Sequence, residues 1–188
     1  MMHPMNRRDA LRTTAVALGG VLLTSNGFLV ACSREKPAAS KSTGVLTADD
    51  QSLIEEIADT LLPTTAASPG AKAAGAGAAI NLLLTDCWVP EKQQRVVDGL
   101  TQFRKTCDEK TGAAFETLPQ PRREALLHDI DADAQRAGES HYFNLVRDLA
   151  LQAYFSSEIG MTKARRWILV PGKWVGCAPL KPGQPAWA

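Results

Sequence analysis

Apolar positions recur at helical spacing through most of the chain beyond residue 46. Thr47 opens a first helix, with Asp49 and Asp50 favourably placed near its positive end. Leu53, Ile54, Ile57, Ala58, Leu61 and Leu62 follow at helical spacing, and Pro63 stops the run. Residues 64–70 form a turn-rich break. A second helix is predicted from Ala71 to Trp88, Ala-rich, with Ile80, Leu83, Leu84 and Cys87 on one stripe. A third carries Val96, Val97, Leu100, Phe103 and Cys107, and Gly112 interrupts it. Pro121 suits the first turn of a fourth, whose stripe is Leu126, Leu127 and Ile130. Phe143, Val146, Leu149, Ala150, Ala153 and Tyr154 make a strongly amphipathic fifth, ending near Gly160. Alternation of period two is confined to the short run Trp167-Ile168-Leu169-Val170, and no internal repeat occurs. The pattern predicts an all-α fold, a small bundle of about five helices with an irregular tail.

That tail, residues 171–188, holds four Pro and three Gly beside Trp174, Cys177 and Trp187. Such a segment is neither a helix nor a central strand. Disordered tails are poor in aromatics, so this one is expected to lie on a surface, its own or a partner's.

Residues 1–31 follow a different logic. The basic stretch Asn6-Arg7-Arg8-Asp9-Ala10-Leu11-Arg12 precedes a moderately apolar run, the order of a secretory signal. The pair Arg7 and Arg8 resembles a twin-arginine export signal. A membrane-spanning helix is the competing reading, but it needs about 20 predominantly apolar residues. Thr13, Thr14, Gly19, Gly20, Thr24, Ser25, Asn26 and Gly27 break this run. It ends in Leu29-Val30-Ala31-Cys32, which resembles a bacterial lipobox, with the Cys32 sulfur as the nucleophile that accepts a diacylglycerol. The bland alternative is an ordinary cleaved signal with a chance Cys. The expected organisation is a lipoprotein signal at 1–31, a flexible Ser/Ala/Lys/Pro tether at 32–45, and a helical domain at 46–188.

Composition narrows the function. Of 188 residues, 21 are Lys or Arg and 20 Asp or Glu, a balance that argues against nucleic acid as a partner. Residues 1–31 hold three Arg and one Asp, so the mature 157-residue chain carries 18 basic and 19 acidic side chains. A domain of that size needs no metal or disulfide staple. Three His and four Cys are few for multi-histidine catalysis or a metal cluster.

Local motifs return little chemistry. Gly70-Ala71-Lys72-Ala73-Ala74-Gly75-Ala76-Gly77 lacks the Lys of a phosphate loop and the small residue of a dinucleotide fingerprint. It reads instead as a small-residue helix start that allows close packing. His128 and His141 have no metal-ligand partner at helical spacing and read as solvated surface residues. Cys87, Cys107 and Cys177 form no C-x-x-C pair. In an oxidising compartment one pair could bridge, leaving a thiol buried or bonded to another chain, and Cys107 is in phase with core positions. Glu55, Glu56 and Asp59 read as a solvated acidic face. Arg165-Arg166-Trp167 has the composition of an interface; the alternative puts both Arg in water and Trp167 in the core.

The twin-arginine route carries folded proteins, often cofactor-loaded, yet no cofactor site is visible here. A cofactor-bearing partner leaving the cytoplasm attached to this chain resolves the mismatch. Several blocks fit that idea. They are Leu46-Thr47-Ala48-Asp49-Asp50 with Ala58-Asp59-Thr60-Leu61-Leu62-Pro63, and Ser68-Pro69-Gly70-Ala71-Lys72-Ala73-Ala74-Gly75. They continue with Tyr154-Phe155-Ser156-Ser157-Glu158-Ile159-Gly160-Met161-Thr162-Lys163-Ala164, and with Val170-Pro171-Gly172-Lys173-Trp174-Val175-Gly176-Cys177. Over about Leu46 to Leu180 the chain resembles the gluconate 2-dehydrogenase subunit 3 family. Trp167 and Trp174 stand where many relatives are expected to have Tyr.

The resemblance implies a non-catalytic small subunit with no catalytic, cofactor-binding or metal-ligating residue of its own. It implies a partner that is an FAD-dependent dehydrogenase of the glucose–methanol–choline type, oxidising a sugar, sugar acid or glycoside, often completed by a c-type cytochrome. The subunit would aid maturation and export of that partner and tether it to the periplasmic face of the membrane through Cys32. Tyr154, Phe155, Arg165, Arg166, Trp167 and Trp174 are the expected interface residues. Two other readings stay open: a self-contained periplasmic lipoprotein binding a ligand or envelope component, and an enzyme using His128 or His141.

Overall fold

A computed structural model describes residues 44–170 and, in the tail, 172, 176, 177, 179 and 181–187. They belong to a single unit, residues 42–188. Arg7, Arg8, Cys32, most of the tether and Trp174 lie outside the described residues.

Five α-helices form the body: α1 Ala48–Leu61, α2 Ala76–Cys87, α3 Pro90–Thr111, α4 Gln120–Ala137 and α5 Tyr142–Ser156. The fold is all-α, with α1 and α5 at the centre, each packed against all four other helices. Both earn that place by sequence. Leu53, Ile54, Ile57 and Ala58 of α1 are fully buried. In α5, Phe143, Val146, Leu149 and Ala150 are fully buried, and Tyr142, Leu145, Ala153 and Tyr154 widen the buried face to reach several neighbours.

Boundaries follow local chemistry. Thr47 and Asp50 form a capping box on α1: the Asp50 N–H donates to Thr47 Oγ1 at 3.1 Å, and the Thr47 N–H to Asp50 Oδ2 at 3.4 Å. Gln93 of α3 donates its side-chain amide to the carbonyls of Leu84, Thr85 and Trp88, at 3.0, 3.1 and 2.9 Å, and so satisfies the end of α2. Gly112 ends α3 at φ 68°, a left-handed conformation open to Gly. Pro121 sits in the first turn of α4. His141 caps α5, its Nδ1 accepting from the Phe143 N–H at 3.2 Å.

Three expectations need correction. The second helix begins at Ala76 rather than Ala71, because residues 71–75 form turns ending in Gly75 at φ 69°. Its stripe is Ala76, Gly77, Ile80, Asn81 and Leu84; Cys87 is exposed and Leu83 half-buried. In keeping with the all-α reading, the Trp167–Val170 run pairs with no strand, and among the described residues the sole β contact is an isolated parallel bridge between Arg166 and Trp187. The tether is docked at its end: the Val45 N–H donates to Thr85 Oγ1 at 3.0 Å and the Leu46 N–H to Asn81 Oδ1 at 3.2 Å.

Small residues set two close approaches. A Cβ on Gly77 would meet Glu55 Cβ at 2.8 Å, so Gly77 lets α2 lie against α1, the packing role expected of this stretch. A Cβ on Gly99 would enter the Tyr142 ring, so Gly99 is what lets that ring lie on α3. No described helix is long and apolar enough to cross a membrane.

Candidate functional site

The predicted interface residues that the structure describes, Tyr154, Phe155, Arg165, Arg166 and Trp167, gather where α5 ends. Ser157 Oγ donates to the Tyr154 carbonyl at 2.6 Å and accepts the Gly160 N–H at 3.0 Å, which turns the chain sharply. Any side chain at residue 160 would collide with the Tyr154 carbonyl, so Gly is required there for space. A π-helical turn, Gly160–Ala164, follows and closes with Arg165 N–H donating to the Gly160 carbonyl at 3.0 Å.

The chain then presents two cations on aromatic platforms. The Arg165 guanidinium lies 4.3 Å from the centre of the Phe155 ring. That of Arg166 lies 4.5 Å from the centre of the Trp187 ring, and the Arg166 N–H donates to the Ala186 carbonyl at 2.8 Å. The end of the tail is thus laid against the Arg166 segment. Trp167 is 45% exposed, Leu169 77% and Val170 75%. Trp167 is therefore not a core residue. A groove of about 460 Å³ at the end of α5 is lined by Leu151, Gln152, Phe155, Ser156 and Arg165.

Tyr154 departs from the expected set. It is 4% exposed, and its hydroxyl lies 2.8 Å from the Pro69 carbonyl and 2.7 Å from Ser68 Oγ. It braces the end of α5 against the loop that follows α1. The helical phase carried that signal, since Tyr154 continues the row of Val146 and Ala150.

The acidic face on α1 is also different from expectation. Glu56 has a side chain only 15% exposed, paired with Lys72 and, at 2.7 Å, with Arg123. Burial pushes its carboxyl up, but the two cations outweigh burial and hold it below the ordinary range. The Lys72 ammonium is raised by the hydrogen bond to Glu56. Asp59 accepts the Lys72 N–H at 2.9 Å. Glu55, against Gly77, is raised by burial. These acids bind α1 to α4 and to the loop before α2. Asp50 likewise pairs with Arg104 of α3 at 2.7 Å; burial pushes it up, and Thr47 and Arg104 bring it below its ordinary value. The in-phase position of Glu56 among Leu53, Ile57 and Thr60 was the available signal.

The remaining candidates are dispersed. His128 is exposed on α4, while His141 is half-buried and occupied in capping. Cys87 and Cys177 are exposed free thiols; Cys107 is a free thiol 1% exposed in the core, its Sγ 3.3 Å from the Ala113 carbonyl. Tyr142, next to His141, has its hydroxyl pushed up to about 12 by burial. A hollow of about 700 Å³ is an open trough between α3 and the start of α5. Among the described residues no group of three or more His, Cys, Asp or Glu could hold a metal ion.

The arrangement at the end of α5 offers stacked guanidinium groups and uncovered apolar surface, which suits recognition of another surface. No curated protein and no solved structure matches the chain. Residues 48–172 match the family model described as gluconate 2-dehydrogenase subunit 3, a span running from the first turn of α1 past the exposed Trp167–Val170 segment, and the chain belongs to that family.

Proposed function

We propose that this chain is the non-catalytic small subunit of a periplasmic FAD-dependent dehydrogenase of the glucose–methanol–choline type. The partner oxidises a sugar, sugar acid or glycoside. The family match carries this reading, because the family description names a subunit of a dehydrogenase and so implies catalytic partner chains.

The FAD on the partner supplies the hydride acceptor for a carbinol carbon, and a c-type cytochrome can then take the electrons. This chain contributes contact surface, maturation, export and a tether. Arg7 and Arg8 would engage the twin-arginine route for both chains, and a lipid on Cys32 would hold the complex to the membrane. A lipid anchor with two or more acyl chains is stable where one chain is not.

The test is co-expression with the flavoprotein. Replacing Arg7 and Arg8 by Lys should strand both chains in the cytoplasm, and Cys32→Ser should release the exported complex from membranes. Unimpaired export of the flavoprotein with the Lys variant, or in the absence of this chain, contradicts the escort role.

A further inference from the structure

Charge is distributed unevenly along the chain. From residue 160 to the end there are five Lys or Arg and no Asp or Glu, whereas residues 32–159 hold 13 basic and 19 acidic side chains. An acidic body therefore carries a basic strap. Leu169 and Val170, adjacent in sequence, are both about three-quarters exposed, at 77% and 75%. Trp167 beside them is 45% exposed and Ile168 half-buried, so most of this apolar run is left uncovered by its own domain. Uncovered apolar surface rimmed by charge marks an interaction site.

Two features prepare it for binding. Arg165 and Arg166 are held on the Phe155 and Trp187 rings, so ordering them on association costs less than ordering free side chains. A groove at the end of α5, lined by Leu151, Phe155 and Arg165, adds apolar surface beside the Arg165 guanidinium.

We propose that this strap, centred on Arg165, Arg166, Trp167, Leu169, Val170 and Trp187, is the surface that docks on the catalytic partner, against an acidic face with an apolar centre. The inference rests on the subunit reading above. Placement favours a protein over a lipid surface. The N-terminal segment meets the domain beside Thr85, near the end of α2, and the strap leaves from Tyr154, braced by Ser68 and Pro69 ahead of the start of α2. The described end of the tether, at Val45, and the strap thus meet the domain at opposite ends of that helix. The acidic excess of the body would also be repelled by an anionic bilayer.

The experiment uses the complete chain co-expressed with a tagged flavoprotein, comparing wild type with Arg165→Glu/Arg166→Glu and with Trp167→Ser/Leu169→Ser. Lys181→Glu, beyond the helices, is a milder third variant that keeps the test open if the others fold poorly. Each double variant should lose at least about tenfold in affinity for the flavoprotein, as expected at the centre of an interface. Lys181→Glu should weaken binding chiefly at low salt, and thermal unfolding should not change. Wild-type binding with all variants equal to it overturns the docking surface and leaves the subunit reading standing. A wild-type chain that binds no flavoprotein overturns the subunit reading itself. Flotation of the Cys32→Ser chain with phosphatidylglycerol vesicles, lost in the variants while flavoprotein affinity is kept, overturns the proposal in favour of a membrane. Concentration-dependent self-association lost in the same way overturns it in favour of a second copy.

Discussion

The hydroxyl of Tyr154 donates to the carbonyl oxygen of Pro69 at 2.8 Å, joining the last turn of α5 to the loop between α1 and α2. The same hydroxyl lies 2.7 Å from Ser68 Oγ, itself buried. Both residues lie in blocks that carry the family resemblance, and the bond explains why a Tyr serves there: the ring fills core space while its tip satisfies a turn. Tyr154→Phe should keep the ring and lose the bonds, destabilising the domain by about 1–2 kcal/mol. Urea unfolding measures it; a loss near zero would show that water replaces the hydroxyl.

Glu56 joins two cations in a half-buried setting, and Arg123 has a side chain as covered as that of Glu56, 15% exposed. Glu56→Gln removes the charge that compensates Arg123 and should cost about 1–3 kcal/mol. Direction in pH follows from the shifts. Asp50 and Glu56 are held below their ordinary values of 3.8 and 4.5, so their contribution is present above those values. It is lost as pH falls through the lower folded values. Glu55, raised by burial, runs the other way and favours the folded chain in acid. Melting temperature should therefore fall below about pH 4.5, and fall less steeply in Glu56→Gln. Glu55→Gln should slightly raise melting temperature at neutral pH. Identical acid profiles for wild type and Glu56→Gln would remove Glu56 from this role.

The thiols separate by burial. In a Cys32→Ser chain, Cys87 and Cys177 should react with a thiol reagent in the native state, and Cys107 only after unfolding. Quantitative labelling with mass mapping reads this directly. Fast labelling of Cys107 would mean that α3 opens locally.

The helices were legible because five segments repeat apolar residues with a helical period and are punctuated by Pro or Gly. Elsewhere the same rules fell short for physical reasons. In 71–75, Ala-rich sequence is compatible with a helix or with stacked turns, and the left-handed Gly75 decides it. The brief alternation at Trp167–Val170 stays outside any sheet, as the all-α reading expects, because a strand needs a neighbour and among the described residues the Arg166–Trp187 bridge is the sole β contact. Glu56 looked solvated because cations brought to it by folding lie 16 and 67 residues away in sequence. Composition pointed to Arg165, Arg166 and Trp167 as a basic–aromatic cluster, and the structure leaves Trp167 exposed beside the two stacked guanidinium groups. Tyr154 is buried because it shares the helical phase of Val146 and Ala150, which its place in a motif does not convey.

The central claim is that the redox chemistry served by this chain takes place on a companion. Purifying the chain alone and as the co-expressed complex, then recording flavin absorbance and sugar-dependent dye reduction for each, tests it directly. The account predicts a colourless, inactive chain and a yellow, active complex whose flavin stays with the larger polypeptide on separation. A chain that is yellow by itself, or that oxidises a sugar without the companion, contradicts it.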